Sequence, residues 1–382
     1  MKKVYFDSAA TTQLRPEVIN CITEVLKTEY GNPSSTHAYG RSSKSLIENA
    51  RKEIAKLLNV SAAEIIFTSG GTEADNLIIN SAVRDLGVTR IITSKIEHHA
   101  VLYMVNEMAE KHGVTVEYVK LDDCGHIDYE NFEKLLKNSE AKTLVSLMHV
   151  NNEIGNVLDL KRCAILCKKY DALLHSDTVQ SVGHFELDLA DIPVDFAAVA
   201  AHKFHGPKGA GFAFIRKNTG CKPLIFGGAQ ERGLRAGTEA TYAIAGMAEA
   251  LKISYAKLEE ERAYIKGLKN YFKEQLIEKI PGVKFNGSCD DDKRSTYTLL
   301  NVCLPMSAEK ALMLLFQMDL KGIACSKGSA CQSGSTNGSH VLNAILSEED
   351  LKKPSLRFSF SSFNTKDEID YVIETLSEFM KD

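Results

Sequence analysis

The segment AAHKFHGPKGAG, residues 200–211, sets Lys203 directly after an apolar run and before a Gly-Pro turn. Alone, a lysine at a strand end is a solvated charge. In a dry crevice the same amine loses its proton readily and can form a Schiff base with a carbonyl compound. Upstream, TSGGTEADN (68–76) passes from a strand pattern to a helix pattern through Gly70 and Gly71. Glycines let the backbone approach a ligand, and the first helical N–H groups point outward, which makes a cradle for phosphate. It is not a nucleotide-binding loop, because no GxxxxGKS or GxxxxGKT occurs, and no GxGxxG fingerprint follows the strand.

A strand-end amine beside a phosphate cradle suggests pyridoxal phosphate. That cofactor needs a carboxylate on its pyridine nitrogen, so that the ring stays protonated and withdraws electrons. Asp177, which closes ALLHSD, stands in the right order along the chain. Gln180, one turn later, is a candidate partner of the ring hydroxyl. His98 could stack on the ring and move protons. A different chemistry is offered by SKGSACQSGSTNGSH (326–340), which holds Cys331 in a run of small polar residues. Such a run reads as a mobile surface loop. Free cysteine commonly hides in a core, so a thiol here stands out.

The elements that must hold these residues follow from periodicity. Strands are expected at 64–69, 90–94, 115–121, 143–150, 172–177, 195–202 and 211–216, with helices at 72–86, 99–112, 130–137 and 160–170 between most of them. The alternation predicts an α/β fold with a mostly parallel sheet covered on both faces. Ligands then bind beyond the carboxyl ends of the strands. Pro16 starts an earlier helix that stops near Gly31, another helix spans about 41–58, and one long helical pattern runs from after Gly237 to about Lys279. The last hundred residues mix strands and helices differently. The expected division is a large domain over 16–255 and a smaller α+β domain made of 1–15 and 256–382, with the Cys331 loop at about 325–340.

Composition narrows the function. With 382 residues, 44% hydrophobic and 25% charged, the chain is ordinary for a globular enzyme. A net charge of −4 gives no support for nucleic-acid or membrane-surface binding. No run approaches the ~20 apolar residues of a membrane span, and MKKVYFDSAATT is too short of apolar residues for a secretion signal, so a cytoplasmic protein is expected. The nine cysteines show no paired CxxC spacing, so no metal is expected and the thiols should be free.

The ordered motifs YFDSAATT, GNPSSTHAYG, FTSGGTEADN, EHHAV, MHVNNEIG, HSDTVQSVG, AHKFHGPKG, GGAQERGLRAGTE, GSACQSGS, SHVL and LRFSFS cover nearly the whole chain. In that order they resemble the cysteine desulfurases of the NifS/IscS type, in the class V aminotransferase branch of fold-type I pyridoxal-phosphate enzymes. The resemblance implies conversion of L-cysteine to L-alanine, with Cys331 keeping the sulfur as a persulfide. It implies that Lys203 tethers the cofactor, that Gly71, Thr72 and His202 hold its phosphate, and that Asn152 and Gln180 contact the ring oxygen or the amino acid. Arg357 should bind the substrate carboxylate, with Asn32 assisting. Thr238 resembles a residue that reaches the phosphate of a neighbouring subunit, which implies a homodimer. The acceptor is expected to be an iron–sulfur scaffold of the IscU/NifU type, or another sulfur relay such as tRNA thiolation.

The chain departs from the usual pattern at Ser8, at Ala200 in place of a phosphate-bonding Ser or Thr, at Lys327 and in GTEAT. None of these touches Lys203, Asp177, His98 or Cys331. The alternatives are another enzyme of the same fold, a selenocysteine lyase or an aminotransferase, and a non-catalytic scaffold relative.

Overall fold

The computed structural model describes residues 2–327 and 338–381. In chain order the elements are β1 (Val4–Tyr5), α1 (Pro16–Thr28), α2 (Ala38–Leu57), β2 (Ile65–Thr68), α3 (Gly71–Arg84), β3 (Arg90–Thr93), α4 (His99–His112) and β4 (Thr115–Tyr118). Next come α5 (Tyr129–Lys137), β5 (Thr143–Ser146), α6 (Leu160–Lys169), β6 (Leu173–Asp177), β7 (Phe196–Ala200), β8 (Gly211–Ile215), α7 (Thr241–Ala256) and α8 (Leu258–Lys279). The remainder is β9 (Lys284–Asn286), β10 (Leu299–Cys303), α9 (Ala308–Leu320), β11 (Ile323–Ala324), α10 (His340–Ile345), β12 (Ser355–Ser359) and α11 (Lys366–Lys381).

Seven strands form one sheet in the order β2-β8-β7-β6-β5-β3-β4. The pairs β3–β4, β3–β5, β5–β6 and β6–β7 are parallel, and β8 alone runs antiparallel, against β2 and β7. All residues of β2, β3, β5, β7 and β8 are buried. Helices on both faces explain why these strands are near-continuous apolar runs rather than alternating ones. Ile65, Phe67, Val145 and Phe212 pack on one face, with residues of α1, α2, α6 and α7. Ile66, Leu144 and Ala213 pack on the other, with α3 and α4.

A second core joins the chain ends. It gathers Phe6, Phe272, Phe358 and Phe360 with Leu276, Leu314 and Ile373. Its strands are the antiparallel set β12-β10-β9 and the parallel pair β1–β11. The single long helix expected up to Lys279 is two helices, broken at Lys257 (φ −105°, ψ 10°). The break has a packing reason. α7 buries Ala243, Met247 and Leu251 against the sheet-side core, whereas α8 buries Ile265, Leu268 and Phe272 in the second core. One straight rod could not serve both. Among the described residues, no helix is long and apolar enough to cross a membrane.

A strained turn lies between β8 and α7. Glu231 and Arg232 both have positive φ, 46° and 58°, a conformation that costs each residue about 1 kcal/mol or more. Arg51 on α2 holds the turn, donating from Nη1 and Nη2 to the two Glu231 oxygens at 2.7 and 2.8 Å. The Phe67 N–H donates to Glu231 as well, at 2.8 Å. Both side chains of the ion pair are almost fully buried. Glu231→Ala leaves a buried guanidinium without this partner and should lower unfolding stability by about 3–5 kcal/mol, read as a shifted midpoint in urea.

Candidate active site

At the carboxyl end of β7 the chain turns tightly through Ala201–Lys203. The turn delivers the Lys203 amine to the N-terminal segment, where Nζ donates to the carbonyls of Ala9 and Ala10 at 2.6 and 2.7 Å. These two carbonyls, Lys203 and the ends of the neighbouring strands enclose a cavity of about 200 Å³.

Asp177, the last residue of β6, is a buried wall of this cavity. Its Oδ1 accepts the Val179 N–H at 2.9 Å. Burial pushes its carboxyl up to about 6, against the pull of that N–H and of the Lys203 charge. Below it lie more buried acids. Asp75 on α3 also borders the cavity, and burial together with Asp177 and Glu97 holds it well above the ordinary range. Glu97 is raised by burial too, although it accepts the Met148 N–H at 3.0 Å. Facing Asp75 Oδ1 at 3.3 Å is Nε2 of His175, a ring that burial drives down to about 3. A carboxyl held neutral by burial is one that a positive partner would ionise.

His98 caps α4, its Nδ1 accepting the Ala100 N–H at 3.1 Å. The cap fixes the tautomer: a neutral ring with Nδ1 occupied carries its proton on Nε2. Burial, then Lys203 and His340, lower this histidine to about 4. It is therefore a neutral donor near pH 7.

The phosphate cradle has the form the sequence suggested. Gly71 opens α3. A Cβ there would lie 2.6 Å from Val179 Cγ2, so a side chain would fill the cradle. Thr72 and His202 line the same end, and His202 Nδ1 lies 3.2 Å from Thr11 Oγ1. Ala200 borders the cavity as a buried methyl, with no hydroxyl to offer. At Gly211 a Cβ would sit 2.3 Å from the Val199 carbonyl, so glycine is required for β8 to lie this close to β7.

Asn152, Gln180 and Arg357 line the same cavity. Gln180 donates from Nε2 to the Ala9 carbonyl at 2.9 Å. Arg357, on β12, donates from Nη1 to the Asn152 carbonyl at 2.7 Å and from Nη2 to Asp7 Oδ1 at 2.8 Å.

Nine of the residues singled out from sequence thus share one cavity: Gly71, Thr72, His98, Asn152, Asp177, Gln180, His202, Lys203 and Arg357. Two do not. Asn32 is exposed, and its side-chain carbonyl accepts the Ser34 N–H at 2.9 Å. Thr238 is exposed as well. Cys331 lies outside the described residues. Sequence reading missed Asp75 and Met148, and it missed the Ala9 and Ala10 carbonyls, which residue type cannot reveal. It also missed Asp7, although it is the one acid in YFDSAATT. Among the described residues no cluster of three or more His, Cys, Asp or Glu is arranged to hold a metal ion.

The cavity fits pyridoxal phosphate. It offers an amine for an aldehyde, an open helix start for a phosphate, and a buried acid awaiting a cation such as a protonated pyridine nitrogen.

Comparison with known proteins agrees. The aminotransferase class-V family matches residues 4–372. The cysteine desulfurase IscS of Dictyoglomus turgidum is 38% identical over the whole of this chain and 95% of its own length. A solved structure of a NifS-like protein superposes with a TM-score of 0.91 at 34% identity, covering 100% of both chains. A second, of SspA in complex with cysteine, gives 0.80 at 29% identity over 94% of this chain and 99% of the other. Matched by the family model over nearly its whole length and by full-length relatives, the chain belongs to the class-V aminotransferase family.

Proposed function

We propose that this protein is a cysteine desulfurase that converts L-cysteine to L-alanine and carries the sulfur as a persulfide on Cys331. The observation that carries the reading is the meeting of Lys203, Asp177, His98 and Arg357 around one cavity. The full-length likeness to IscS proteins, and to a relative solved with cysteine, points to the substrate. The chemistry that bound pyridoxal phosphate supplies is an aldehyde for amines and a ring that withdraws electrons.

In this reading Lys203 Nζ holds the aldehyde at rest and later carries the substrate α-proton. Gly71, Thr72 and His202 bind the phosphate. Asp177, ionised above about pH 6, would keep the ring nitrogen protonated. His98 covers the ring, excludes water and donates through Nε2. Asn152 and Gln180 contact the ring oxygen or the amino acid. Arg357 binds the substrate carboxylate, a task suited to a guanidinium fork, and Asn32 assists. Cys331 attacks the substrate sulfur as a thiolate. A sulfur–sulfur bond forms and the Cβ–S bond breaks. Its electron pair stays on carbon, which takes a proton as alanine forms.

The reading includes a homodimer, in which Thr238 serves the phosphate site of the neighbouring subunit. Its support is the exposure of Tyr30, Tyr39, Tyr103 and Phe226, aromatic surface that a second copy would cover. The division into 16–255 and 1–15 with 256–382 belongs to it too, supported by the two separate cores. We place the reaction in the cytoplasm and its sulfur with an iron–sulfur scaffold of the IscU/NifU type.

Mass spectrometry after L-cysteine treatment should find a gain of ~32 Da on Cys331, one sulfur atom. Cys331→Ala should keep the yellow cofactor and the spectral response to L-cysteine, yet release no sulfide with a reductant. Full sulfide release by that variant would overturn the relay, and amino transfer to a keto acid without sulfide would make the protein an aminotransferase. Lys203→Ala should fail earlier, losing the cofactor on dialysis.

Cofactor uptake by the apoprotein should depend on pH through Asp177. Its folded-state pKa is raised to about 6, so the ionised partner of the ring nitrogen is present above that pH and lost below it. Uptake, followed by absorbance, should weaken as pH falls through about 6. Asp177→Asn should bind more weakly and show no such step. His98, held near 4, should contribute no inflection in the activity profile between pH 6 and 8.

A further inference from the structure

Arg357 is buried to 1% exposure of its side chain, yet it borders the cavity. Its guanidinium carries five N–H donors. Nη1 is taken by the Asn152 carbonyl and Nη2 by Asp7, while Nε has no partner among the described residues. A buried donor left without an acceptor is costly, so the pose of this guanidinium rests on the two contacts it does make.

Asp7 does more than balance the charge. Its Oδ1 accepts from Arg357 Nη2 and from the Ser326 hydroxyl, both at 2.8 Å. The backbones of the two donors are joined as well: the Arg357 N–H donates to the Ser326 carbonyl at 2.7 Å, and the Ser326 N–H returns at 3.2 Å. One carboxylate oxygen therefore clamps the buried arginine to the chain that leads toward Cys331. Asp7 itself stays outside the cavity lining.

We propose that Asp7 is a positioning residue for substrate capture: it holds Arg357 Nη2 and the Ser326 hydroxyl on one oxygen and so fixes the guanidinium at the cavity wall for the substrate carboxylate. This rests on the reading that Arg357 binds that carboxylate. The specificity it would confer is for α-amino acids over amines that lack the carboxylate.

The test uses holoenzyme and two ligands that carry the carboxylate, L-cysteine as substrate and L-alanine as a spectroscopic probe of binding. Cysteamine, which lacks the carboxylate, is the control. Asp7→Ala should raise KM for L-cysteine and Kd for L-alanine roughly tenfold, the scale of one lost charge-assisted contact. It should lower kcat less than about threefold and leave cysteamine binding as in the wild type. Asp7→Asn keeps an acceptor oxygen of the same shape and should recover most of the loss. An unchanged KM in Asp7→Ala, or an equal loss for cysteamine, overturns the proposal. If Asp7→Ala does not fold, Ser326→Ala takes its place: it removes one of the two donors and should raise KM about threefold, and no rise would overturn the proposal. Arg357→Gln is measured alongside. If it leaves KM for L-cysteine unchanged, the carboxylate role of Arg357 fails and the inference falls with it. If it raises KM while Asp7→Ala does not, only the positioning role of Asp7 fails.

Discussion

The backbone carbonyls of Ala9 and Ala10 fix the one amine on which this site is built. A lysine amine on a flexible stem has many rotamers and is strongly hydrated in water. Two carbonyls at hydrogen-bond distance select one position for Lys203 Nζ. They can do so only because residues 7–12 are themselves pinned. The Ala9 N–H donates to Ser359 Oγ at 2.8 Å, Thr12 donates through N–H and hydroxyl to the His202 carbonyl, and the His205 N–H donates to Thr12 Oγ1. The short polar stretch SAATT is thus a strap between the large sheet and the second core. Asp177, His98 and the cradle gain a common reference from it.

Burial then decides the electrical character of the cavity. Asp75, Glu97 and Asp177 lie in one desolvated layer, and each is pushed toward its neutral form. Like charges this close cannot all ionise in a medium that screens poorly. The layer has room for one strongly held cation, which is what a protonated heterocycle brings. His98, His202 and His175 are likewise lowered by burial.

Much of this was legible in the residues. Continuous apolar runs such as FAAVA and GFAFI reported strands buried on both faces, and their polar ends marked the crevice. Lys203, Asp177 and His98 were found because strand ends are a small set of positions. The long helix before Lys279 was expected to run unbroken through the domain change placed near 255, because its periodicity shows no interruption; the two packing partners impose the break at Lys257. The role of Ala9 and Ala10 was invisible because backbone carbonyls are the same in every residue. Asn32 and Thr238 carry polar side chains of the right type, but their own chain keeps them at the surface. Asp7 shows no task in its own motif, since its partners Ser326 and Arg357 lie more than three hundred residues away.

That separation has a consequence for synthesis. The contacts from Asp7 and Ala9 reach Arg357 and Ser359 across 350 residues, nearly the whole length of the chain. A chain emerging from the ribosome exposes its first strand long before the partners of that strand exist. The sheet can fold on the way, but the strap has nothing to close upon until the last elements are released. A truncated polypeptide would then own a lysine and an acid without the clasp that sets them to work, and the cell would gain no half-built catalyst from an interrupted translation.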